Sequence, residues 1–133
     1  MRDDFRLLRT ELAGFSAFPT SQGAVFKDIV FTSGHGPLIP GKVGEIAPGG
    51  FREQVIQTLQ NIETVLREGG SDWSHCVRVL VLLSSKEYFN EFNEIYGNHL
   101  QAPYPPRMCF ITELVHPDIF VEMHAIGVVK EPS

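Results

Sequence analysis

The chain is 133 residues long, with 43% hydrophobic and 20% charged residues, which predicts one soluble domain with a single hydrophobic core. Its formal net charge of −5 argues against nucleic-acid binding, because proteins of that class gain much of their affinity by neutralising phosphates. The N-terminal stretch MRDDFRLLRTELAG is too charged for a secretory signal peptide, and no apolar run is long enough to cross a membrane, so we expect a cytoplasmic protein.

The first predicted elements are a hairpin and a loop. Residues 24–33 contain two short β-prone runs around a polar pair, which favours a β-hairpin. Residues 33–50 are dense in glycine and proline, which predicts a loop, with a short extended piece at 43–46.

Two amphipathic helices and three strands are predicted next. Apolar residues recur every three or four positions over 51–66 and again over 89–100, which predicts helices. Residues 76–85 form a nearly continuous aliphatic and β-branched run, as expected for a strand covered on both faces. Two further strands are predicted at 107–114 and 119–129.

This order of elements predicts an α+β fold, with a mixed sheet and both helices on one of its faces, in a single domain spanning residues 1–133. The last strand is apolar at both alternating sets of positions, interrupted in one set by Glu122 and His124. Two helices cover only one face of a sheet. We therefore expect the second face to be covered by self-association.

The sequence places an arginine, Arg107, at the start of an apolar strand. If strands 107–114 and 119–126 pair as a hairpin, then opposed residues share a face. This register predicts that Arg107, Cys109, Ile111, Phe120, Glu122 and His124 point the same way.

Two interpretations of that face are open. Arg107 and Glu122 could neutralise each other within the fold, or the charged groups could line a functional site, which we favour because buried charges are costly unless paired or used. Cys109 and Cys76 each lie in an apolar run and are interpreted as reduced thiols that pack. The five histidines show no metal-ligand spacing, so no metal site is predicted.

Several short motifs together resemble the RidA/YjgF family of imine deaminases. The resemblance extends from about residue 19 to residue 128. It depends on Ser21-Gln22, the FTSG of 31–34, Gln57, Asn61, Phe89, Asn93, Tyr96, the PxR of 105–107, Cys109, and the stretch from Glu122 to Ala125.

The resemblance implies a chorismate-mutase-like subunit assembled as a homotrimer, with the sheets forming an inner barrel and active sites in clefts between subunits. It also implies hydrolysis of enamine and imine intermediates, such as 2-aminoacrylate and its imine, to 2-keto acids and ammonia. No cofactor and no metal are implied. The expected partners are a small-molecule imine or keto acid and further copies of the chain, without nucleic acid or membrane.

The resemblance also assigns roles to individual residues. Arg107 would hold the substrate carboxylate, assisted by the backbone amide of Cys109, since a guanidinium offers two parallel donors. Glu122 would act as the general base that activates the attacking water. Gly34 would contribute backbone to the wall of the cleft.

Two positions that border the cleft depart from the family's usual pattern. Thr20 stands where a tyrosine is common, and His35 where a glutamine is usual. Both are expected to contact substrate, and they suggest a relative that acts on a different, pathway-specific imine. Two other functions are a non-catalytic trimer that binds small carboxylates and, least favoured because of the acidic charge, a ribonuclease or translation inhibitor.

Overall fold

The structure is a computed structural model that describes residues 4–131. These residues form six strands and two α-helices, with short 3-10 turns before β4 and before α2. The elements are β1 (Phe5–Leu8), β2 (Gly23–Phe26), β3 (Ile29–Thr32), α1 (Phe51–Glu68), β4 (Cys76–Leu83), α2 (Phe89–Leu100), β5 (Arg107–Ile111) and β6 (Val121–Val128).

All six strands belong to one mixed sheet with the order β1-β2-β3-β6-β4-β5. Every neighbouring pair is antiparallel except β4 and β5, which run parallel and are joined through α2. A parallel pair needs such a crossover, because the end of the first strand and the start of the second lie at opposite ends of the pair. The predicted α+β class is confirmed.

The hydrophobic core lies between the two helices and one face of the sheet, as predicted. We call this face the helix face. It includes Val30 of β3, Val79 and Val81 of β4 and Ala125 of β6, each fully buried, against Leu59 and other apolar residues of α1.

The opposite face of the sheet, here called the open face, carries apolar side chains that the chain itself covers only in part. Phe31 of β3 is 39% exposed and Phe110 of β5 is 50% exposed. Leu80 and Leu82 of β4 are half-buried on the same face. The expectation that β4 is covered on both faces is therefore not met within one chain.

The prediction that the last two strands, β5 and β6, pair as a hairpin is wrong. β4 lies between β5 and β6 and pairs with both, so that Val79 is the neighbour of Arg107 on one side and of Ala125 on the other. Val81 likewise lies between Cys109 and Met123.

This register divides the residues that were expected to share a face. Arg107, Cys109 and Ile111 lie in register with the buried residues of β4, on the helix face. Glu122 pairs with Leu82 and His124 with Leu80, on the open face. Phe120 precedes β6.

Two smaller differences concern the N-terminal half. β1 was not predicted, and it pairs with β2 at the edge of the sheet. The extended piece expected at 43–46 is reduced to a single bridge between Leu38 and Ile46. The predicted hairpin of β2 and β3 is confirmed, with Lys27 in its turn at φ 54°. Within residues 4–131, no helix is both long and apolar enough to cross a bilayer.

Candidate functional site

A pocket of about 110 Å³ lies where the loop before β2 meets the loop after β3. We call it the loop pocket. Three residues predicted to bind substrate line it, namely Thr20, Gly34 and His35, together with Arg9 and Ser33 among others. Thr20 Oγ1 lies 3.4 Å from Ser33 Oγ. Apart from Gly34 and its two chain neighbours, no atom of residues 4–131 lies within 4 Å of the position that a Cβ on Gly34 would occupy.

His35 is buried in the wall of this pocket and is fixed at both its backbone and its ring. Its backbone N–H donates to the Met123 carbonyl at 2.7 Å, and the Met123 N–H donates back at 2.9 Å. The ring Nε2 lies 2.8 Å from the carbonyl oxygen of Gln22. Burial lowers the pKa of His35, although the bond to the Gln22 backbone acts in the opposite direction. His35 is therefore neutral at pH 7.

Asn61 of α1 holds the two loops that form the pocket. Its Oδ1 accepts a hydrogen bond from the Gly14 N–H at 3.0 Å, and its Nδ2 donates to the carbonyls of Gly36 at 3.0 Å and Leu38 at 2.7 Å. Gln57 Nε2 donates to the same Oδ1 at 3.0 Å. Asn61 is 1% exposed. A buried amide thus satisfies loop groups that would otherwise lack partners.

Glu122 lies close to one end of the pocket, on the open face of β6. A Cβ added to Gly36, the residue after His35, would lie 3.6 Å from Glu122 Cγ. The carboxyl is half-buried, and burial raises the pKa of Glu122 above the ordinary value for glutamate. A raised pKa makes a carboxylate a stronger base, which suits general-base catalysis.

Arg107 lies far from this group, at the first position of the edge strand β5. Its Nη2 donates to Asn93 Oδ1 of α2 at 2.6 Å. The guanidinium carbon is 4.9 Å from the centre of the Tyr96 ring and 5.5 Å from that of Phe92. The side chain is thus held by one amide and two aromatic faces, which attract cations through their π electrons. Its other guanidinium N–H groups make no hydrogen bond within residues 4–131.

Cys109 lies two residues further along β5, half-buried. Burial raises the pKa of its thiol, against the opposing effect of the Arg107 charge, so the thiol is poorly suited to act as a nucleophile. The backbone of Cys109 is oriented for binding outside the sheet. The Val79 N–H donates to the Pro106 carbonyl, and the Thr112 N–H donates to the Leu83 carbonyl. The backbone N–H and C=O groups of the even-numbered residues of β5 therefore point to β4, whereas the N–H of Cys109 points to the free edge of the sheet.

The predicted site residues thus form two groups within one chain. Thr20, Gly34 and His35 line the loop pocket, with Glu122 nearby, whereas Arg107 and Cys109 lie at the β5 edge. Arg107 and Glu122 point to opposite faces, two strands apart, and their β4 partners Val79 and Leu82 are about 10 Å apart along the strand.

The residues that hold these two groups in place were not predicted to have a role in the site. Asn93 and Tyr96 were recognised only as part of the family resemblance, although their spacing of three places them on one face of a helix. The parallel pairing of β5 also had a signal, since strand, helix and strand in succession typically form a right-handed crossover. Within residues 4–131, no three His, Cys, Asp or Glu side chains cluster as a metal site would require.

Comparison with known proteins identifies the family. The family model described as Endoribonuclease L-PSP, which represents the RidA/YjgF proteins, matches residues 13–129. The chain belongs to the RidA/YjgF family. The resemblance inferred from its short motifs is confirmed.

Individual RidA/YjgF relatives cover most of this chain. A RutC family protein, y4sK of Sinorhizobium fredii, is 32% identical over 108 residues, which is 81% of this chain and 85% of the relative. The 2-iminobutanoate/2-iminopropanoate deaminase of Mus musculus is 30% identical over 123 residues, 92% of this chain and 90% of the relative.

Solved structures of the family superpose closely. Yeast Mmf1 has a TM-score of 0.87 at 29% identity and covers 95% of this chain and 99% of its own. E. coli TdcF, crystallised with bound serine, has a TM-score of 0.83 at 28% identity and covers 92% of this chain and 98% of its own.

Proposed function

We propose that this protein is a cofactor-independent hydrolase that converts reactive enamines and imines, of the 2-aminoacrylate and 2-iminopropanoate type, to 2-keto acids and ammonia. The observation that carries the proposal is the division of the site. The edge strand β5 offers a receptor for a carboxylate at Arg107, and the open face of β6 offers a base of raised pKa, Glu122, beside a pocket.

The two groups can act on one substrate if they come from different copies of the chain. β5 is an edge strand, and the open face next to it is apolar and half-exposed. Both features are typical of surfaces that associate. We infer a homotrimer in which the β5 edge of one subunit meets the loop pocket and Glu122 of the next, so that the active site lies in the cleft between them.

In this cleft Arg107 would bind the substrate carboxylate with the guanidinium donors that Asn93 leaves free. The N–H of Cys109 at the strand edge would donate a further hydrogen bond. Charge-assisted contacts of this kind are the strongest in proteins and fix the orientation of a planar carboxylate. The imine carbon would then be held at a constant distance from Glu122.

Glu122 would take a proton from a water molecule while the water oxygen bonds to the imine carbon and the C=N π electrons move to nitrogen, which then receives that proton from Glu122. In the resulting carbinolamine, Glu122 would take the hydroxyl proton as the C=O bond of the keto acid forms and the C–N bond breaks. Glu122 would pass this proton to the departing nitrogen, which leaves as ammonia. An enamine first takes a proton at carbon and loses one from nitrogen to become the imine. Imines are electrophilic without assistance, so positioning and one base can suffice.

The relatives support this chemistry. Several mammalian relatives with 27–30% identity over 92% of this chain are named 2-iminobutanoate/2-iminopropanoate deaminase. TdcF carries a bound serine, which shows that a related chain accepts a small amino acid.

A second candidate is a non-catalytic receptor for small carboxylates. It is favoured by the cradle of Asn93, Tyr96 and Phe92 around Arg107, which would bind an anion without any contribution from Glu122. A ribonuclease, the activity that the name Endoribonuclease L-PSP implies, is disfavoured by the net charge of −5, since RNA binding depends on neutralising phosphates.

The deciding experiment generates imines in situ with an amino-acid oxidase and measures their loss with and without the protein. We expect the protein to accelerate loss of the alanine and 2-aminobutyrate imines in proportion to its concentration, with the keto acid and ammonia formed in equal amounts. Binding of keto acids without any acceleration would support the receptor and reject the hydrolase.

A further inference from the structure

Within residues 4–131, one ring nitrogen of His35, beside the loop pocket, has no hydrogen-bond partner. His35 is 6% exposed, and the one side-chain hydrogen bond that it makes to these residues joins Nε2 to the carbonyl oxygen of Gln22. Among the same residues, the fully buried side-chain polar atoms without a partner are Thr58 Oγ1, Ser71 Oγ, Trp73 Nε1 and Tyr96 Oη. Nδ1 of His35 does not belong to this group, so it keeps some exposure, and His35 lines the loop pocket.

The partner of Nε2 fixes the tautomer of the ring. A carbonyl oxygen can only accept, so Nε2 must carry the proton, and a neutral imidazole then leaves Nδ1 as an acceptor. The ring cannot turn over to exchange these roles without losing the bond to Gln22. The two backbone bonds between His35 and Met123 hold the residue in place. The acceptor is therefore rigid.

The rest of the pocket restricts what this acceptor can bind. Thr20 Oγ1 already donates to the Ser21 carbonyl at 3.2 Å. Arg9 lines the same pocket, with its guanidinium 4.4 Å from the centre of the Phe15 ring. Arg9 also pairs with Glu11, with Nη2 3.7 Å from Oε1, so the two residues present no unbalanced charge that would favour an ionic ligand group. A volume of about 110 Å³ holds several atoms of water size, since each needs about 10–15 Å³.

We propose that the loop pocket receives the side chain of the imine substrate and that Nδ1 of His35 selects a side chain ending in a neutral hydrogen-bond donor, a hydroxyl or a carboxamide. This inference rests on the proposed function and adds the substrate class to it. A site built around a polar group discriminates against an analogue that lacks the matching group, because its own polar atom is then left unpaired.

The test compares two imines of nearly equal shape, generated by an amino-acid oxidase from homoserine and from norvaline. The side chain of homoserine ends in a hydroxyl where norvaline has a methyl. We expect the wild-type protein to hydrolyse the homoserine imine with a kcat/KM about three- to tenfold higher, the range of a single neutral hydrogen bond. An equal or reversed preference would overturn the proposal.

The variant His35→Phe assigns the preference to the ring nitrogens of His35. Phenylalanine keeps a planar ring and has no acceptor at the position of Nδ1. It also lacks the Nε2 donor to the Gln22 carbonyl, so the fold of the variant is checked by circular dichroism. We expect the homoserine-to-norvaline ratio to fall towards one. The same substitution at the exposed His116, His116→Phe, is the control and should leave the ratio at its wild-type value. A wild-type ratio in folded His35→Phe would overturn the proposal.

Two measurements keep this test independent of folding of the variant and of the deaminase activity. The ¹⁵N resonance of His35 Nδ1 in the wild-type protein should shift on addition of 4-hydroxy-2-oxobutanoate, and less on addition of 2-oxopentanoate. If no imine is hydrolysed, the proposed hydrolase activity is rejected. The affinities of these two keto acids then decide whether the loop pocket selects a hydrogen-bond donor. Equal affinities and equal shifts would overturn that role.

Discussion

Glu122 is the residue on which the hydrolase and receptor functions differ. Glu122→Gln preserves the shape and hydrogen-bonding capacity of the side chain and removes its basicity. We expect turnover of imines to fall by about 10²–10⁴-fold, the usual contribution of a general base, while keto-acid binding persists. The measurement is the rate of imine loss, with Glu94→Gln on the exposed side of α2 as the control. Undiminished turnover would leave Glu122 as a structural group.

The pH dependence of the reaction provides a second test of Glu122. Burial raises its pKa, and a base acts only when ionised. Activity should therefore be full well above that pKa and should decline as the pH falls through it, at a pH above the ordinary carboxyl range of about 4–4.5. The ratio of wild-type to Glu122→Gln rates should keep this acid limb, because titration of the substrate affects both proteins equally and cancels in the ratio. A ratio independent of pH would assign the limb to another group.

Two variants of Arg107 separate the contribution of its planar pair of donors from the contribution of its charge to carboxylate binding. Arg107→Lys keeps the charge and loses the planar pair of donors, whereas Arg107→Ala loses both. A charge-assisted bond contributes about 1.5–3 kcal/mol, so we expect kcat/KM for carboxylate-bearing imines to fall about 10- to 100-fold in the lysine variant and further in alanine. Wild-type rates in both folded variants would make Arg107 a solvated strand end.

At the scale of elements, the unit β4-α2-β5 places Arg107 against the side chains of α2. Asn93→Ala removes the 2.6 Å bond to Nη2, and Asn93→Asp places an anion there that would compete with the substrate carboxylate. We expect keto-acid affinity, measured by calorimetry, to decrease from wild type to alanine to aspartate. Aspartate binding as tightly as wild type would exclude Asn93 as a positioning residue for Arg107.

Periodic elements were predictable from the sequence because their signals are local. The spacing of apolar residues gave α1 and α2 nearly to the residue, and the polar pair at Lys27 and Asp28 gave the turn of the first hairpin. β1 carried no such signal, since Phe5–Leu8 is a short edge strand among charged residues, stabilised by its pairing with β2.

Strand pairing and the contacts of the site depend on distant residues and were predictable only in part. The short connection between β5 and β6 suggested a hairpin, yet β4 is the most continuously apolar strand and takes the central position between them. The pocket residues Thr20, Gly34 and His35 were found through resemblance. Asn93 contacts Arg107, 14 positions away, and Gln22 contacts His35, 13 positions away. No local sequence pattern predicts such contacts.

For the whole molecule, the proposed intersubunit site would link association to activity. Phe31→Asp places a charge on the open face, where it would be buried on assembly, and should shift the native mass from trimer to monomer and abolish turnover. Phe89→Asp makes the same change at a residue of α2 that is 40% exposed and should leave the mass unchanged. Light scattering or native mass spectrometry measures both. A wild-type monomer at micromolar concentration that still hydrolyses imines would refute the intersubunit site.

The amide of Asn61 has a consequence for the motion of the loop pocket. The segments around Gly14 and Gly36 lack regular secondary structure, and loops of that kind usually open far more often than the core. Here both are bonded to one buried side chain in the middle of α1, so neither can separate without breaking bonds inside the core. The pocket should therefore be rigid, and in the proposed trimer the entry of ligands would depend on access between subunits and not on a moving loop.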